Sequence, residues 1–68
     1  MFRIEHQPSG DEAEADNRDA AILAAKTLIA DNDDTGTCRV FYGGGVVAVV
    51  WPGEGDESCR IWSAASLN

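Results

Sequence analysis

From residue 37 onward the apolar positions gather in three short runs, 38–42, 46–51 and 58–62, separated by Gly43, Gly44 and Gly45 and by a stretch holding Pro52, Gly53 and Gly55. β-branched and aromatic residues fill the runs and turn formers bound them, which predicts a three-stranded antiparallel meander. Val46, Val47, Ala48, Val49, Val50 and Trp51 are apolar at six consecutive positions, so both faces of the middle strand require burial.

Upstream, Phe2, Ile4 and His6 alternate with Arg3, Glu5 and Gln7, the period-two signature of a half-buried strand over 2–6. If this strand lies beside 38–42, a helix-containing connection makes the two parallel. Pro8 and Gly10 end it, and Ser9 with Glu12 has the spacing of a helix capping box. Ala21, Ile22, Ala25, Leu28 and Ile29 share one helical face about 120° wide, with Leu23 on the opposite side. Projected backwards, that face meets Arg18, Glu14 and Asp11, so the packed helix is expected over 17–31 and residues 10–16 as a polar lead-in or helix extension. Asn32 or Gly36 is expected to supply the left-handed residue that turns the chain out of the helix. The expected fold is α+β, in the order β-α-β-β-β: a small, mostly antiparallel sheet with one helix packed on one face. Residues 1–68 form a single small domain in this reading, with 64–68 a flexible tail.

A two-residue turn at Gly43 and Gly44 pairs Tyr42 with Gly45 and puts Phe41 opposite Val46. Cys38, Val40, Tyr42, Val47, Val49 and Trp51 then share one face. Pairing Trp51 with Ser58 adds Trp62, opposite Val47, to it. Phe41, Val46, Ala48, Val50, Cys59 and Ile61 make the other face. A three-residue loop would swap the faces of 38–42 relative to its neighbour. In either register two apolar faces compete for one helix.

Size and charge narrow the function classes. A chain of 68 residues buries only about 60% of its unfolded surface. Cores of this size rarely supply more than about 3–5 kcal/mol without a disulfide, a metal or oligomerisation. Twelve acidic against five basic residues give a net charge of −7, without the basic stripe that direct nucleic-acid binding needs. The same charge disfavours an anionic membrane surface. No run approaches the roughly 20 apolar residues of a membrane span, and the N-terminus lacks the apolar segment of a secretory signal, so a cytoplasmic location is expected. The composition is also halophilic-like, since acidic surfaces suit high salt.

No constellation points to catalysis, a cofactor or a metal. In a meander, Cys38 and Cys59 flank the middle strand with backbones about 9–10 Å apart, beyond the limit of about 6.8 Å for a disulfide. Two free thiols are expected. The acidic loop of Asp31, Asp33, Thr35 and Gly36 resembles the first half of an EF-hand calcium loop, but Arg39 and Tyr42 occupy later ligand positions and strand follows. The three glycines precede a strand, whereas a phosphate cradle needs a helix behind it. His6 is the one histidine, and nothing at triad spacing accompanies it.

The residue types left over are those of protein interfaces. The expected function is therefore a non-enzymatic interaction or regulatory protein working through a sheet face, as a homodimer or docked on another protein. Tyr42, Val47, Val49, Trp51, Arg60 and Trp62 are the expected contact residues. One alternative is a nucleic-acid mimic, with acid clusters at 11–16, 31–34 and 54–57 imitating phosphates to inhibit a DNA- or RNA-binding protein. Another is a small enzyme or metal-binding protein using His6 and the cysteines.

Overall fold

A computed structural model describes residues 1–53 and 59–63. Most of the expected turn after Pro52, Ser58 at the start of the expected third strand, and the expected tail over 64–68 lie outside the described residues. Alternation over the first residues produces β1 (Phe2–Gln7), with Ile4 and His6 fully buried on one side. A turn containing Pro8 and Gly10 reverses the chain, closed by the His6 N–H donating to Asp11 O at 2.8 Å and the Gly10 N–H to His6 O at 2.9 Å. β2 (Glu12–Ala15) then pairs antiparallel with β1, setting Ala13 opposite Ile4 and Ala15 opposite Phe2.

β2 corrects the reading of 10–16 as a lead-in or helix extension. Ala13 and Ala15 alternate with Glu12 and Glu14, a period-two pattern in which alanine, a weak strand former, hides the signal. The same hairpin absorbs Ser9 and Glu12, so they form no capping box. The helix is capped instead by Asn17, in extended conformation, whose Oδ1 accepts the Ala20 N–H at 2.8 Å.

Helix α1 (Arg18–Asp31) buries Ala21, Ile22, Ala25 and Ile29, with Leu28 half-buried beside them and Leu23 on the solvent side. Its end is closed by the Asn32 N–H, shared between Leu28 O and Ile29 O, and by the Asp34 N–H donating to Ile29 O. Positive φ falls on Asp33, Asp34 and Gly36, while Asn32 keeps φ −108°. The expectation for Gly36 holds and that for Asn32 does not. Aspartate tolerates the left-handed region better than most residues.

β3 (Thr37–Tyr42), β4 (Gly45–Pro52) and β5 (Cys59–Ser63) complete an antiparallel sheet of order β2-β1-β3-β4-β5. β4 is an interior strand, as its two-sided apolar pattern requires. β1 lies beside β3 but runs antiparallel to it, contrary to the parallel expectation, because β2 reverses the chain before the helix begins. β2 and β3 therefore run the same way, joined through α1, with β1 between them.

The turn at Gly43 and Gly44 pairs Tyr42 with Gly45 and Phe41 with Val46. A β-bulge follows at once: Val40 pairs with Ala48, which leaves Val47 as the extra residue. Cys38 and Val40 thus share a face with Val50 and Ala48, correcting the expected grouping with Val49 and Trp51. On the far side Trp51 pairs with Arg60 and Val49 with Trp62, a register two residues from the expected one that leaves every face assignment of that pair unchanged. Ile4, Ala21, Ile22, Ala25, Ile29, Cys38, Val40, Val47, Ala48 and Val50 form the core. Each fully buried isoleucine or valine there contributes about 1.5–3 kcal/mol.

Candidate interaction surface

A helix about 10 Å across covers roughly two to three strands spaced about 4.8 Å apart, and a five-stranded sheet spans more. α1 packs over β1, β2, β3 and β4. It is tied to β5 at its first turn, where the Arg18 guanidinium donates to the Ser63 hydroxyl. Ile61, on the helix side of β5, remains 42% exposed.

The opposite, open face has two halves. Over β2, β1 and β3 it is charged. Arg3 pairs with Glu5 at 2.8 Å, approaches Glu12 at 4.0 Å, and holds its guanidinium 4.9 Å above the Phe41 ring. Arg39 stands across from Glu5. Such exposed pairs stabilise little, but they keep this half wet and polar. Over β4 and β5 the face is apolar: Trp62 is 50% exposed opposite half-buried Val49, and half-buried Trp51 lies opposite Arg60.

Val49, Trp51, Arg60 and Trp62 are therefore brought together on one side of two adjacent strands. Val47 and Tyr42 are not. Val47, displaced by the bulge, is buried in the core. Tyr42 lies toward the helix side at the sheet's end, its ring 4.6 Å from that of Phe2. Ile61 lies outside the expected contact set, which is drawn from the face grouped with Trp62. The width of one helix against five strands is the signal that identifies it.

His6 is fully buried and fully satisfied. Its Nε2 donates to the Thr35 carbonyl at 2.8 Å, and its Nδ1 shares a hydrogen bond with the Ser9 hydroxyl at 2.7 Å. Ser9 Oγ in turn accepts the Asp11 N–H at 3.1 Å. The imidazole thereby joins the β1–β2 turn to the loop after α1. Asn32 reinforces this junction, donating to Asp11 Oδ2 at 3.2 Å and to Leu28 O at 2.8 Å. That contact brings Asp11 to the acidic 31–34 loop.

Cys38 and Cys59 are free thiols on β3 and β5, with β4 between them. The Cys38 thiol donates to Ala25 O at 3.4 Å, and burial, with Cys59 nearby, pushes its pKa from the ordinary 9.0 up to about 11. That environment disfavours a nucleophilic thiolate. Among the described residues no group of three or more His, Cys, Asp or Glu side chains is placed to hold a metal, and no helix is long and apolar enough to cross a membrane. Comparison of the chain with known protein families, curated proteins and solved structures finds no match.

Proposed function

We propose that this protein is a small, non-enzymatic interaction module with a regulatory role, binding a protein surface through the β4–β5 half of its sheet. The observation that carries this reading is the apolar group of exposed Trp62 with half-buried Trp51 and Val49 on one face, and exposed Ile61 on the other. Tryptophan and arginine dominate binding energies at protein contacts, and contiguous apolar patches on small soluble chains mark docking sites. Two free thiols suit a reducing, cytoplasmic setting.

The test compares the native chain with Trp62→Ser in high salt, where apolar contacts persist and surface electrostatics are screened. The native chain should self-associate or retain a partner from an extract of its host. The variant should lose that association by about tenfold or more while keeping its circular dichroism. Equal behaviour of the two proteins counts against the reading.

Mimicry of nucleic-acid phosphates is a second reading, supported by the Asn32–Asp11 contact that draws two acid clusters toward one end of the molecule. It requires an association with a basic cleft that disappears as salt rises. An association unaffected by salt excludes it.

A further inference from the structure

We infer that β5 pairs antiparallel with β5 of a second copy across a two-fold axis at Ile61, joining two sheets edge to edge. The inference rests on the interaction reading above and names its occupant. Among the described residues β5 has a single strand neighbour, β4, which places it at one end of the sheet. Residues directly opposite in an antiparallel pair share a face.

An axis at Ile61 therefore sets Ile61 against Ile61 of the second copy on the helix side. There each covers the other's exposed side chain. On the open side the same axis sets Arg60 against Trp62 twice, a cation facing an aromatic ring in both halves of the interface. Cys59 meets Ser63 at the two ends. Within the strand no like charges oppose one another, and the wet patch around Val49, Trp51 and Trp62 becomes continuous with its symmetry mate.

The other edge of the sheet behaves oppositely. β2 carries Glu12 and Glu14 on the open face, and self-pairing there sets Glu12 against Glu14, a repulsive cross-strand pair. Charged side chains of this kind are how native sheets guard an edge. One edge is thus guarded against a second copy, whereas the other is complementary to it. Two-fold pairing through β5 closes, while β5 on β2 would propagate as an open filament.

The test uses the full chain in high salt at micromolar concentration. Sedimentation should give twice the 7.2 kDa chain mass. Ile61→Lys should weaken the dimer by about tenfold or more while keeping its helical circular dichroism. Independently, Ile61→Cys in a Cys59→Ser background should form a disulfide-linked dimer on mild oxidation, because a residue on the axis faces its own copy. A dimer without that cross-link overturns β5 pairing and leaves the interaction reading intact. A species of steadily growing mass overturns the two-fold arrangement. A monomer that holds a different protein through Trp62 overturns the second copy as occupant but not the surface. A monomer without any Trp62-dependent partner overturns both.

Discussion

A side-chain carbon placed on Gly36 would stand 2.5 Å from Nε2 of His6 and 2.3 Å from the Gln7 carbonyl oxygen. Gly36 also holds φ +89°, a conformation that L side chains rarely adopt. Steric room and backbone geometry thus impose glycine independently. Gly36→Ala is expected to cost about 2 kcal/mol or more, a large share of the roughly 3–5 kcal/mol available to a domain of this size. Urea unfolding followed by circular dichroism measures this. An unchanged midpoint would contradict the close approach of the loop to β1.

The imidazole beside that glycine bridges two segments that no strand pairing connects. His6→Ala leaves the Thr35 carbonyl and the Ser9 hydroxyl without their partner and opens a cavity, at an expected cost of about 1–3 kcal/mol. Ser9→Ala removes the bonds to His6 Nδ1 and from the Asp11 N–H, but it keeps the bond to Thr35 and opens no buried cavity, so it should cost less. Thermal unfolding of both variants ranks them. The reverse order would show that the turn, and not the imidazole, organises this end of the sheet.

Thiol chemistry should separate the two cysteines. With its pKa near 11, Cys38 is thiolate to only about one part in a thousand at pH 8, and it is fully buried. Cys59 is half-buried. Alkylation of the native protein should therefore label Cys59 first, with Cys38 following on unfolding. Two adducts are expected after denaturation. The raised pKa also fixes a sign: the folded state favours the protonated thiol, so its contribution is intact below pH 9 and is lost as pH climbs through 9 toward about 11. A stability that rose over that interval would be inconsistent with the buried thiol donating to Ala25.

Asn17, and not Ser9, caps the helix. Asn17→Ala should cost about 1 kcal/mol, read as a lower urea midpoint, with Asn17→Ser close to the native protein. Equal midpoints for all three proteins would place the start of the helix elsewhere.

The helix and the meander were legible because their periodicities are long or strongly apolar. The stripe from Ala21 to Ile29 is the face that the sheet buries. β2 escaped because four residues of alternating glutamate and alanine resemble the acidic first turn of a helix as much as an edge strand. The grouping of Val49, Trp51, Arg60 and Trp62 was readable because a two-residue change of register preserves facing. Val47 and Tyr42 were grouped with them by strict alternation, which a bulge interrupts. Residues 46–51 contain no polar residue to announce such an interruption.

The bulge at Val47 acts as a parity switch. Had the ladder run on from Phe41 and Val46 without it, Val47 would pair with Val40 and Ala48 with Arg39, exchanging the helix-facing set for the outward-facing set with little change in hydrophobicity. Ala48 is the asymmetric element: fully buried among the core residues, it marks which phase of the strand fits under α1. Without the bulge, Val47 would stand there opposite Val40 and ask the helix to rise. The extra residue is thus what brings Ala48, the smallest side chain of the apolar run, under α1 and turns Val49 and Trp51 outward.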